Sequence, residues 1–133
     1  MAVHFSDLTP VLIVDAVEPT RAFFVDRLGF AVQTDLEHDG RLGFSMVARG
    51  NVTIMIQSDA SLRADAGESY VPGPYKASLY IDIDDVEAFV PEVADADVVL
   101  PLRRTAYGMH EIAVREPGGN IVVFASRLTA PSG

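Results

Sequence analysis

The sequence predicts an α+β fold built from two tandem βαβββ modules. Three observations predict it. Short apolar or alternating runs bounded by Gly, Asn, Asp and Pro read as strands. One helical pattern follows the first strand of each half. The halves also repeat with a period of about 70 residues. Gly50-Asn51-Val52-Thr53-Ile54-Met55 lines up with Gly119-Asn120-Ile121-Val122-Val123-Phe124, and Leu12-Ile13-Val14 with Ile81-Asp82-Ile83. Such a repeat is one supersecondary unit used twice, each half covering what the other cannot bury alone.

Each element has a local reason. Val11-Leu12-Ile13-Val14 is an apolar run and a buried strand. Glu18-Pro19-Thr20 starts a helix, with Pro in the first turn, where its missing N–H costs nothing. Phe23, Phe24 and Leu28 supply its apolar positions and Gly29 stops it. Strands follow at Phe30–Thr34, Leu42–Ala48 and Val52–Ile56, separated by the turn residues His38-Asp39-Gly40 and Gly50-Asn51. Ser58 to Pro74 holds Gly67, Pro72 and Gly73 with few apolar residues, and reads as a linker or flap over about 59–75. The pattern then restarts. Ala77–Ile83 alternates as a strand, and a helix begins near Val86 behind Asp84 and Asp85, with Pro91 expected in its first turn. Val98-Val99-Leu100 is a strand interrupted by Pro101. His110–Arg115 and Asn120–Ser126 form a hairpin across Pro117-Gly118-Gly119-Asn120. The modules span about 9–58 and 76–128 within a single domain, 1–133.

Composition narrows the function. The chain has 133 residues, enough for a core without staples, and no cysteine, which excludes disulfides, thiolate metal sites and Cys nucleophiles. Its net charge of −9 argues against nucleic acid and anionic lipid as partners and permits a cationic ligand. No apolar run approaches the roughly 20 residues of a membrane span, and the first residues do not read as a signal peptide. The expectation is a soluble, cytoplasmic protein.

The segments Phe23-Phe24-Val25-Asp26-Arg27-Leu28-Gly29-Phe30 and Tyr107-Gly108-Met109-His110-Glu111-Ile112-Ala113-Val114-Arg115-Glu116-Pro117-Gly118-Gly119-Asn120 carry a resemblance. They resemble the FY-x-D-x-LGF and WG-x-x-E-[FI]-A-x-R-[DE]-P-x-GN signatures of the vicinal oxygen chelate superfamily. That superfamily includes glyoxalases, extradiol dioxygenases, fosfomycin-resistance enzymes and bleomycin-resistance proteins, and the second signature is most like the bleomycin-resistance branch. The resemblance covers about residues 9–128. It implies that each module curls a mixed sheet into half a cup with its helix outside. It also implies metal-ligand positions in the enzymes of the family, a His on the first strand and a Glu on the last strand of each module. Those positions fall on Thr9, Ile54, Ser78 and Val123. Ile54 and Val123 have no donor atom, and neutral hydroxyls are poor ligands for a divalent cation. Neither a metal nor another cofactor is expected.

The remaining candidates are weighed one by one. His4, His38 and His110 are the only histidines, and adjacent His110 and Glu111 point to opposite strand faces, so they cannot share a metal. Glu111 can serve a cationic ligand group, or an internal ion pair with Arg103, Arg104 or Arg115. Ser78, Tyr80 and Asp82 line the cup if Leu79, Ile81 and Ile83 face the helix. An aromatic beside an acid suits a flat or cationic ligand, and ordinary amphipathic alternation also accounts for the row. Phe44, Met46, Met55 and Phe124 read first as core. Tyr107 stands where the bleomycin-resistance pattern has Trp. The candidate ligand-binding set is Phe44, Ile54, Ser78, Tyr80, Asp82, Tyr107, Glu111 and Val123, and no catalytic residue is expected. The reading is a metal-free protein that sequesters a small organic ligand, of bleomycin-like or other aromatic, cationic antibiotic type, in a groove between the subunits of a homodimer. The alternatives are a metal-dependent glyoxalase- or dioxygenase-type enzyme, or a binder of an unrelated cellular metabolite.

Overall fold

The computed structural model describes residues 2–128; Met1 and residues 129–133, which the single-domain reading includes, lie outside the described residues. The first module runs β1 (Val11–Val14), α1 (Val17–Ala22), β2 (Ala31–His38), β3 (Arg41–Arg49) and β4 (Val52–Ser58). After α2 (Asp59–Ala66), the second runs β5 (Ser78–Asp82), α3 (Val86–Val93), β6 (Asp97–Arg104), β7 (Met109–Arg115) and β8 (Ile121–Arg127). The two sheets have equivalent orders, β1-β4-β3-β2 and β5-β8-β7-β6. Each is mixed, with the first strand parallel to the last and the other pairs antiparallel. This is the tandem βαβββ, α+β architecture.

The helices carry the apolar faces. Helix α1 continues through a wider π-turn over Phe23–Arg27 and stops at Gly29, whose φ of +71° lets Phe30 turn back to donate to the Phe24 carbonyl at 2.9 Å. Phe24 is fully buried and meets Phe23 and Phe30 edge-on, each at 5.3 Å between ring centroids. Leu12, Val47, Ile54 and Ile56 complete this side, and Ile81, Val86, Ile112, Val114, Val122 and Phe124 form the equivalent side of the second module. All belong to one continuous cluster, so the modules share a core.

The turn Glu116–Asn120 joins the modules. The buried Glu116 carboxylate accepts from Gly118 N (2.8 Å), Asn120 N (3.0 Å) and Asn120 Nδ2 (2.9 Å), while Asn120 Oδ1 accepts from Ala77 N (2.8 Å). Gly118 lies so close to the first module that a Cβ there would sit 2.4 Å from Val14 Cγ1 and 2.6 Å from Thr20 Oγ1. Elsewhere Arg27 pairs with Asp95, and Arg49 donates to the Leu28 carbonyl at 2.7 Å.

Four local expectations are corrected. The linker 59–75 is half helical. Ser58 caps α2 by accepting from Ser61 N at 3.1 Å, and a 3-10 turn follows over Gly67–Ser69. That helix buries none of its residues, so it has no apolar stripe for periodicity to reveal. Pro91 lies in the second turn of α3, not the first, because Asp85 caps the helix (accepting from Ala88 N, 3.2 Å) and starts it at Val86. Pro101 does not interrupt β6. The strand passes through it with register shifts at Leu100, tolerated because β6 is an edge strand. Strand β2 extends to His38, where Asp39 (φ 51°) and Gly40 (φ 78°) make the expected tight hairpin.

Candidate functional site

The site grows from the faces of the sheets turned away from the helices. In the second sheet, register aligns Tyr80 with Val123 and Val123 with Ala113, and Asp82 with Ala125 and Ala125 with Glu111. Paired residues share a face, so Tyr80, Asp82, Glu111 and Val123 stand together on one surface. Tyr107 joins them from the loop between β6 and β7.

Glu111 is the hub. It is 3% exposed, and its Oε2 accepts from the Tyr80 hydroxyl at 2.6 Å and the Tyr107 hydroxyl at 2.9 Å. Its Oε1 accepts from Arg103 Nη2 at 3.1 Å. A buried carboxylate needs such partners, and these satisfy it. The phenol of Tyr80, then those of Tyr107 and the guanidinium of Arg103, hold the Glu111 carboxyl below its ordinary range against the opposing effect of burial. The same bond pushes Tyr80 up to about 12, and the bond to Glu111 also raises Tyr107. Both tyrosines are therefore neutral hydrogen-bond donors at physiological pH. Their rings stay available: Tyr80 is 50% and Tyr107 66% exposed. Two aromatic faces are thus anchored by their hydroxyl ends to one fixed carboxylate oxygen.

Of the two readings of Glu111, the internal ion pair with Arg103 is the one formed. Arg104 pairs in register with His110, and Arg115 donates to Asp97 at 3.1 Å. His110 is buried on the opposite face, 3.5 Å from the Glu87 carboxylate. Ser78 is exposed at the start of β5 and Val123 is half-buried beside Tyr80.

Neither candidate from the first module joins the hydrogen-bonded cluster of Tyr80, Tyr107, Glu111 and Arg103. Phe44 is half-buried on the outer face of the first sheet, in register with Leu36 and Gln57. The Ile54 side chain is fully buried in the helix-side core, although the residue borders a concavity of about 470 Å³ together with Ser78, Tyr80 and Asp82. Register shows why. Ile54 pairs with core Val47 as Val122 pairs with Val114, whereas Met55 pairs with Met46 and Val11 as Val123 pairs with Ala113 and Tyr80. The hairpin Arg49–Val52 is closed by a shorter loop than Arg115–Ile121, so aligning the Gly-Asn pairs shifts the first module by one residue and hence one face. Met55 thus takes the position assigned to Ile54. Sequence reasoning also passed over the surface that results, where Val11, Leu36, Met46 and Met55 accompany Phe44; a comparison of hairpin lengths is the signal that finds it.

The family's metal-ligand positions are now Thr9, Met55, Ser78 and Val123. Two hydroxyls, a thioether and an alkyl group do not make a set of hard donors for a divalent cation. Among the described residues, no group of three or more His, Asp or Glu side chains is placed to hold a metal.

Comparison with known proteins fits this geometry to a family. A family model described as the glyoxalase/bleomycin resistance protein/dioxygenase superfamily matches residues 3–124. No curated protein matches the chain. Among solved structures, TioX from Micromonospora sp. ML1 superposes with a TM-score of 0.75 at 20% identity, over 93% of this chain and 100% of that one. Lactoylglutathione lyase from Agrobacterium tumefaciens gives 0.72 at 16% identity, over 91% and 92%. The bleomycin-binding protein from bleomycin-producing Streptomyces verticillus, complexed with copper(II)-bleomycin, gives 0.64 at 25% identity, over 97% and 100%. The superfamily thus holds an enzyme and a binding protein of the same architecture. With two βαβββ modules, both signatures and a family match over nearly its whole length, the chain belongs to the glyoxalase/bleomycin resistance protein/dioxygenase superfamily.

Proposed function

We propose that this protein is a non-catalytic binder that sequesters a small organic molecule with a flat aromatic part, of the bleomycin-like antibiotic type. The observation that carries the reading is the pair of exposed tyrosine rings, Tyr80 and Tyr107, pinned by their hydroxyls to buried Glu111. Rings held in place before a ligand arrives lose little conformational freedom on stacking. The donor-poor set Thr9, Met55, Ser78 and Val123 supports binding over metal-assisted catalysis, which needs ligands to hold the ion. The likeness to a bleomycin-binding protein supports the ligand class.

The binding unit is a cytoplasmic homodimer in this proposal. Leu36 (57% exposed), Val11, Leu100 and Leu102 leave apolar surface open on strands, and a second copy is the simplest cover that also closes a groove over the tyrosines. No helix among the described residues is long and apolar enough to cross a membrane.

Titration calorimetry tests the function. Metal-free and copper-loaded bleomycin, a cationic quinone and a cyclic peptide antibiotic are titrated into wild type and Tyr107→Ala. At least one ligand is expected to bind wild type and to lose about tenfold in affinity in the variant, as removal of a stacking partner worth about 1.4 kcal/mol does. No binding by any of them overturns the ligand class. A stoichiometric divalent ion that survives dialysis of the purified protein overturns the non-catalytic reading.

A further inference from the structure

A further concavity lies between the modules, next to the one that Tyr80 lines. It has a volume of about 670 Å³ and lies between Phe30 and the hairpin residues Arg49–Val52 of the first module and Ile81–Asp85 and α3 of the second. Its lining is divided by chemistry. Phe30, Ile81, Phe89 and Phe124 supply an apolar, largely aromatic floor, while Asp82, Asp84, Asp85 and Glu92 supply carboxylates, all exposed.

The chain's own Arg49 shows what this cleft accommodates. Its guanidinium lies over the Phe89 ring, 5.7 Å from the centroid, and 3.8 Å from the Glu92 carboxylate. A planar cation on an aromatic face beside an acid is already the arrangement of one wall. Arg49 answers only Glu92. Among the described residues no Lys, Arg or His stands within ion-pair distance of Asp82, Asp84 or Asp85. The cleft therefore pairs an apolar floor with a negative rim in which Asp85 caps α3, Glu92 meets Arg49, and Asp82 and Asp84 have no side-chain cation among the described residues, in a chain whose net charge is −9. Neutral apolar molecules gain only the floor, and anions are repelled by the rim.

We infer that the cleft between the hairpin Arg49–Val52 and the start of α3 is a second small-molecule site, selective for an organic cation with a flat or apolar body. The body packs against Phe89, the half-buried ring of the floor, and its positive group meets the carboxylates of the rim. The concavity that Tyr80 lines borders this cleft, with Asn51, Val52, Ile81 and Asp82 common to both, but Arg49, Phe89 and Glu92 belong to the cleft and Ser78 and Tyr80 to its neighbour.

Proflavine, a planar organic cation, is the probe, titrated into the full chain with backbone amide shifts read by NMR. Expected are shifts concentrated at Arg49–Val52 and Ile83–Phe89, weaker binding at higher salt, and an affinity loss of about tenfold in the exposed double variant Asp84→Asn/Glu92→Gln. Ala88→Lys, which puts a cation into the lining from an exposed helix position, is expected to have the same effect by repulsion. Shifts confined to Tyr80, Tyr107 and Glu111 overturn the inference and assign the cation to the tyrosine cluster, leaving the proposed function standing. Absent shifts, or equal binding by the double variant and wild type, also overturn it. Failure of every calorimetric titration while proflavine shifts the cleft removes the proposed function and leaves the second site.

Discussion

Replacing Glu111 with Gln asks whether one carboxylate organises the tyrosine surface. The change keeps the shape and one carbonyl oxygen, and it removes the charge. In the wild type, Oε2 holds Tyr80 at 2.6 Å and Tyr107 at 2.9 Å, and Oε1 holds Arg103 at 3.1 Å. A hydrogen bond to an ionised acceptor contributes about 1.5–3 kcal/mol, toward the lower end here because the tyrosines are half or more exposed, and the half-exposed ion pair with Arg103 adds less than about 1 kcal/mol. With one carbonyl retained, the loss is about 2 kcal/mol, or a fall in Tm of roughly 6–10 °C for a domain of this size. The pH dependence is specific. Because the folded-state pKa of Glu111 is depressed, its contribution is present above the unfolded value near 4.5 and disappears as pH falls through the folded value. The gap between wild type and Glu111→Gln is therefore full at neutral pH and closes in acid. Tyr80 behaves oppositely: its raised pKa gives a contribution that is full below 10.0 and lost as pH rises through about 12. Thermal denaturation followed by circular dichroism across pH measures the first effect, and tyrosinate absorbance the second, with Tyr80 in the variant titrating back toward 10.0. A gap unchanged from neutral pH into acid, or a wild-type-like tyrosine titration in the variant, refutes the hub.

Two further predictions concern the scaffold. Gly118→Ala places a Cβ 2.4 Å from Val14 Cγ1, and urea denaturation is expected to show a loss of about 1–3 kcal/mol; an unchanged midpoint would mean the modules are not locked by this turn. Phe124→Ala removes a buried ring that meets Phe89 at 4.7 Å, with an expected cost of about 3–5 kcal/mol, and a cost below about 1 kcal/mol would contradict a core shared through this strand.

The repeat, the order of strands and helices, and the hairpin turns at Asp39-Gly40 and Gly118-Gly119 were legible in the sequence because each rests on short-range chemistry. Strand alternation and positive-φ residues leave marks within a few positions. The helix α2 left no such mark, since it buries nothing. On β5, alternation alone placed Tyr80 and Asp82 on the face opposite Ile81. On β4 the resemblance, carried over through the Gly-Asn pair, assigned the ligand position to Ile54, while the register puts Met55 there because the two hairpin turns differ in length.

By itself the sequence determined the superfamily, the two-module plan, and the lack of imidazole or carboxylate at the metal-ligand positions, all properties of residue type at a given position. Tertiary structure decided the rest. Only it showed that Met55 stands where Ile54 was expected, and that Glu111 takes Arg103 as its charge partner from three candidate arginines. It also brought the hydroxyls of Tyr80 and Tyr107, separated along the chain, to one oxygen. Such choices depend on the register between strands and on which side chains meet across a fold, and neither is written in the spacing of residues along one strand.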